Sequence, residues 1–131
     1  MTNTTQPTAS SAKIVAHMIG ALLLVTAAGM LPPIICSLIY GENDLFAFVV
    51  SATITAAIGA PLYWIYRRHE DLSPRHALLI ASCGWVIVSA ASALPFMIHG
   101  AIPSFADAFF EMMSGYTTSG STILTDIEVV P

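Results

Sequence analysis

Three long apolar stretches decide what this chain can fold into. Residues 14–40, 45–66 and 76–98 contain no Asp, Glu, Lys or Arg. A helix crosses a hydrocarbon core with about 20 such residues. Backbone polar groups find no water at that depth, so a helix is how each stretch satisfies its own amides and carbonyls. Composition agrees: 9% of residues are charged and mean hydropathy is +0.77, whereas soluble domains carry about 25% charged residues. The expectation is an all-α integral membrane protein seated in a lipid bilayer.

The polar residues mark the ends of the crossings. Residues 1–13 are Thr- and Ser-rich and are expected to form a disordered tail. The apolar run that follows exceeds the h-region of a cleaved signal peptide, roughly 7–15 residues. Pro32 and Pro33 should kink the first crossing or end its regular part, because proline removes a helical hydrogen bond. Residues 41–44 (Gly-Glu-Asn-Asp) read as a short turn, and Tyr63, Trp64 and Tyr66 as an interfacial aromatic belt. The four cations are Lys13, Arg67, Arg68 and Arg75, and alternating crossings put all of them on one side. The positive-inside rule makes that side, and the N-terminus, cytoplasmic. Four scattered cations do not form the basic face that nucleic acid requires. Cys36 and Cys83 sit in different apolar stretches and are expected as reduced, buried thiols. Gly20, Ala27, Ala28, Gly59 and Ala60 are small enough to let helices approach closely.

After the third stretch the pattern changes. Residues 99–103 read as a turn. Ser104 with Asp107 forms a near capping box, and a helix is expected over 105–114, too short to cross, with Gly115 able to end it. Then come Thr117, Thr118, Ser119, Gly120 and Ser121, with no charge and no bulky aliphatic group. Small hydroxyl residues around a glycine cannot build a core. Their carbonyls and hydroxyls can replace the hydration shell of a cation, and irregular backbone is tolerated at membrane depth where protein buries it or it lines a path. An ion selectivity filter is therefore the leading reading. An ordinary Ser/Thr/Gly turn is the plain alternative. A phosphate loop fails because Ser121 stands at the lysine position of the Gly115–Gly120 spacing.

The segment from Ala93-Leu94-Pro95-Phe96 through Phe105-Ala106-Asp107-Ala108-Phe109-Phe110-Glu111-Met112-Met113-Ser114-Gly115-Tyr116-Thr117-Thr118-Ser119-Gly120-Ser121-Thr122 closely resembles the membrane subunit of the Trk/Ktr potassium-uptake family. Met30-Leu31-Pro32-Pro33 and Tyr40-Gly41-Glu42-Asn43 look like the leading helix pair of Trk-type members. The resemblance implies residues 14–75 as that pair with a cytoplasmic loop. It implies residues 76–131 as a first pore repeat of outer helix, pore helix and filter strand, truncated before its inner helix. Thr117, Thr118, Ser119, Gly120 and Ser121 would be the filter strand, with Gly120 at the filter-glycine position and potassium held by the backbone of Thr117 to Gly120. Ser119 stands where many members have Thr. Further implications are potassium uptake across a bacterial or archaeal plasma (inner) membrane, a homodimer, a cytoplasmic nucleotide-binding regulatory subunit, and no organic cofactor in this chain.

Other readings were weighed against this one. Asp107 and Glu111 are spaced to share a helix face and are the nearest approach to a catalytic pair, but neither Gly-x-Ser-x-Gly nor His-Glu-x-x-His occurs, so no enzyme is expected. Helix capping for Asp107, and for Glu111 a hydrogen bond from neighbouring backbone or from a missing repeat, are the simpler roles. Asp107, Glu111, Asp126 and Glu128 can also draw cations to an outer mouth. His17 is expected to snorkel to the interface. The alternative function is a small non-transporting membrane protein that binds or stabilises a partner complex, and it predicts that Gly120 tolerates substitution.

Overall fold

The computed structural model describes residues 8–41, 43–67 and 74–123, with side chains from residue 12 onward. The described residues form five helices: α1 (Thr8–Gly29), α2 (Leu31–Tyr40), α3 (Leu45–Ile65), α4 (Pro74–His99) and α5 (Phe105–Tyr116). Three helical runs are long and apolar enough to cross a membrane: Ala12–Tyr40, Leu45–Ile65 and Pro74–His99. Each matches one apolar stretch of the sequence.

The first crossing breaks at Met30, between α1 and α2. Pro32 and Pro33 have no amide to offer the carbonyls one turn back, so the ladder cannot run through. α1 is described from Thr8, within the stretch read from the sequence as a tail, and residues 1–7 lie outside the described residues. α2 stops at Gly41, whose φ of 69° is left-handed and whose N–H donates to the Ser37 carbonyl. Across that turn, the buried Ser37 hydroxyl donates to the buried Asp44 carboxylate, which ties α2 to the start of α3.

α1 and α3 pack with their backbones nearly touching. Ala47, Ser51, Thr55 and Gly59 are all buried, and their spacing of four puts them on one helix stripe. A Cβ at Gly20 would lie 2.6 Å from the Tyr63 amide nitrogen and 2.9 Å from the Gly59 carbonyl oxygen. A Cβ at Gly59 would lie 3.1 Å from the Gly20 carbonyl oxygen. The small-residue reading thus holds at these two glycines, where only a hydrogen fits. Ala27 is buried at the same time, whereas Ala28 faces outward.

α4 runs parallel to α1. Met18 and Leu22 share a groove with Ala77, Ile80 and Ala81, so the two N-terminal halves lie side by side. Asp44 and Phe48 line a small cavity with Pro95, Phe96 and His99, which joins the opposite ends. Lys13, Arg67 and Arg75 therefore gather at one end of the bundle, and Arg68 lies outside the described residues.

Two expectations are corrected. His17 does not snorkel: its Nδ1 lies 2.8 Å from the Tyr63 carbonyl oxygen, and its ring stacks on Tyr63 with centroids 4.6 Å apart. The α1–α3 contact is close enough to offer a partner inside the pair. Cys36 and Cys83 are free but exposed rather than buried, because both occupy outward helix faces, where apolar surroundings come from outside the chain.

Candidate functional site

α5 begins at Ser104, which has the extended backbone of an N-cap but makes no side-chain capping bond. Asp107 is exposed in the first turn, so the capping box read from the sequence does not close. The helix is held instead by its apolar side. Ala108 is fully buried against Ala93 and Ile102, with Phe96, Met97 and Met112 packed around them. From there α5 runs back along α4. The Ser89 hydroxyl donates to the Met113 sulfur at 3.6 Å, and the Ser92 and Tyr116 hydroxyls lie 2.7 Å apart. The Tyr116 ring comes within 6.2 Å of Trp85, centroid to centroid. Trp85 is near the middle of the 26-residue α4, so α5 delivers the next residues to the mid-height of a crossing helix.

Gly115 does not end α5, which continues through Tyr116. The stop falls at Thr118. Its N–H donates to the Gly115 carbonyl at 3.2 Å, and the Ser119 N–H donates to the Ser114 carbonyl at 3.1 Å. These are the paired bonds of a Schellman ending, in which the residue at the Thr118 position adopts a left-handed conformation, usually as glycine. Here a β-branched threonine holds φ at 55°, a strained choice. Gly120 follows with φ of 70°. A Cβ there would meet nothing within 4 Å, so glycine is required by backbone angle and not by space.

The five residues singled out in the sequence, Thr117, Thr118, Ser119, Gly120 and Ser121, form one exposed irregular segment around the end of α5. Its side-chain ties run back to the helix. The Thr117 hydroxyl donates to the Met113 carbonyl at 2.8 Å. Ser114 is buried; its hydroxyl lies 2.9 Å from that of Ser119 and also donates to the Ser121 carbonyl. Glu111 accepts from the Thr122 hydroxyl at 2.8 Å and from the Ile123 N–H at 3.1 Å. Of the two partners expected for Glu111, the neighbouring backbone is the one seen, and the carboxylate turns to the loop and not to Asp107. Among the described residues, the carbonyls of Thr117, Thr118, Ser119 and Gly120 accept no hydrogen bond. A cavity of about 230 Å³ lies between helix and segment, walled by Glu111, Ser114, Thr118 and Gly120. Asp126 and Glu128 lie outside the described residues.

Sequence reasoning missed Ser114 as a structural hub. Its signal was present: a serine facing the apolar side of a short helix needs a partner for its hydroxyl.

No protein-family model matches the chain. Individual proteins do. It is 37% identical over 124 residues to the Trk system potassium uptake protein TrkH of Halomonas elongata, covering 92% of this chain and 26% of that protein. It is 33% identical to the Trk system potassium uptake protein TrkG of Escherichia coli, covering 93% of this chain and 26% of the relative. An uncharacterized cation transporter of Methanocaldococcus jannaschii is 28% identical over 115 residues, 88% of this chain and 24% of its own length. The chain thus spans about a quarter of the length of these relatives, which are named for uptake and transport and not for catalysis. With three helices long and apolar enough to cross a membrane and nine-tenths of its residues aligned to such proteins, the chain is similar to the matching quarter of Trk system potassium uptake proteins, as a Trk-type fragment would be.

Proposed function

We propose that this chain supplies the first quarter of a potassium selectivity filter in a Trk-type uptake system. Residues 14–75 serve as a leading helix pair, and residues 76–131 as the opening of a pore repeat. The observation that carries this reading is the course of α5. It folds back along α4 and leaves Thr117 to Gly120, with carbonyls that accept no hydrogen bond within the described residues, beside the middle of a crossing helix. At that depth free carbonyls are costly unless they face water or an ion. A potassium ion shedding its water needs such a wall of oxygens, and the C-terminal end of a helix favours a cation near it. The Thr118 hydroxyl adds an oxygen to the same wall.

The bundle end that carries Lys13, Arg67 and Arg75 faces the cytoplasm, following the excess of cations there. The same family reading adds a homodimer and a cytoplasmic nucleotide-binding regulatory subunit.

A Gly120→Val substitution in the complete protein tests the assignment. A β-branched residue resists a φ of 70°, so potassium-dependent growth should cease while membrane insertion and abundance stay normal. Uptake at the unsubstituted level would remove the filter reading and favour a partner-binding membrane protein.

A further inference from the structure

We infer that Glu111 and Ser114 are positioning residues that decide which carbonyl oxygens of the segment face the ion. The inference rests on the filter reading of residues 117–121 and adds to it a boundary and the two side chains that set it.

Hydroxyl protons give the direction of the contacts. Ser114 has one proton, and the Ser121 carbonyl can only accept, so Ser114 donates to Ser121. Its contact with Ser119, at 2.9 Å, must then run the other way, with the Ser119 hydroxyl donating to Ser114 Oγ. The result is a directed chain from Ser119 through Ser114 to the Ser121 carbonyl. That carbonyl is drawn back against α5 and is withdrawn from the ion. The oxygens left to the ion are those of Thr117, Thr118, Ser119 and Gly120, and Ser121 is an anchor and not a ligand.

Glu111 lies three residues before Ser114, on the same helix face. Its two carboxylate oxygens take the Thr122 hydroxyl and the Ile123 N–H separately, at 2.8 and 3.1 Å. Ser121, Thr122 and Ile123 are thereby fastened in succession to one stripe of α5. Bonds to a charged acceptor are the stronger kind, so the segment is pinned beyond Gly120 while the four carbonyls before it accept no hydrogen bond among the described residues. Where the pin sits sets the spacing of those oxygens, and that spacing selects among cations of different size.

The test is the ratio of potassium to sodium uptake by the complete protein in proteoliposomes, for Ser114→Ala, Glu111→Gln, Glu111→Leu and Gly120→Val, with abundance and thermal stability measured alongside. Ser114→Ala and Glu111→Leu should lower the ratio by about tenfold, the scale of one lost bond to a charged or buried group, in protein of normal abundance. Glu111→Gln keeps the volume and one acceptor oxygen and should fall between. Merely structural residues would lower stability and total uptake together and leave the ratio unchanged. An unchanged ratio in these variants, with Gly120→Val inactive, overturns the positioning roles and leaves the filter standing. If Ser114→Ala fails to accumulate, Glu111→Gln decides alone, because an unchanged ratio in that isosteric variant refutes the pin. Full uptake by Gly120→Val overturns the filter reading itself, and this inference with it.

Discussion

The α1–α3 seam and the end of α5 are both built from small residues, yet they are held together in opposite ways. In the seam, Gly20 and Gly59 remove side chains so that two helical backbones meet, and shape complementarity carries the contact. Around α5, Ser114, Ser119 and Glu111 retain side chains so that non-helical backbone finds partners. A regular helix brings its hydrogen bonds with it and needs only close packing. An irregular segment in an apolar setting must be given hydrogen bonds one by one. Glycine is therefore steric at Gly20 and conformational at Gly120.

Substitutions can break this contrast. The largest effect on stability is expected for Gly20→Val. With 2.6 Å to the Tyr63 amide nitrogen, no rotamer relieves the clash, and overpacking of this kind costs about 1–3 kcal/mol. Thermal unfolding in detergent should show a clear loss, and the His17–Tyr63 contact should open. The corresponding Gly120→Val change meets no atom within 4 Å, so its cost is confined to the left-handed backbone angle, about 1–2 kcal/mol, and should be the smaller of the two. Equal destabilisation by both would erase the distinction between the two glycines.

Thr118→Gly sharpens the comparison from the other side. Relieving a left-handed β-branched residue should stabilise the fold by about 1 kcal/mol, less the entropy glycine gains in the unfolded chain. Potassium uptake should nevertheless fall, because the threonine hydroxyl is lost. A variant that is both more stable and fully active would mean the strain serves no purpose at the site. Ser92→Ala removes the tie between α4 and Tyr116, 2.7 Å long, and should cost about 1 kcal/mol, read as a lower melting temperature. Smallest of all is Thr55→Val. The buried Thr55 hydroxyl has no hydrogen-bond partner among the described residues, so replacing it with a methyl of similar shape should be neutral or slightly stabilising. A marked loss in that variant would show that the seam depends on hydrogen bonding after all.

The crossings were legible because hydropathy over some twenty residues averages out local exceptions. The second and third stretches, 45–66 and 76–98, became Leu45–Ile65 and Pro74–His99. Pro61 and Pro95 lie within these helices without ending them, since the long apolar runs on either side hold the helix. Gly20 and Gly59 were legible as contact residues for the same reason: a small residue facing a neighbouring helix has few other uses. The helix stop was not legible at the right place. Gly115 advertised an ending by its type, but the left-handed angle fell to Thr118, whose sequence preference points elsewhere. The Ser37–Asp44 and His17–Tyr63 contacts also escaped, since each depends on how two elements meet and not on either element alone. After α5, the irregular course of residues 117–121 was readable from composition, while its fastening through Ser114 was not.

The ties that shape the segment are all short-range. The longest of them, from Ile123 to Glu111, spans 12 positions. Closing loops this small costs little chain entropy, and contacts so close in sequence form quickly. The bend after α5 is therefore a feature that a growing chain can complete soon after residue 123 emerges, ahead of any distant neighbour. Whatever later packs against it meets a surface already set, and the ordering cost that usually weakens association has been met beforehand.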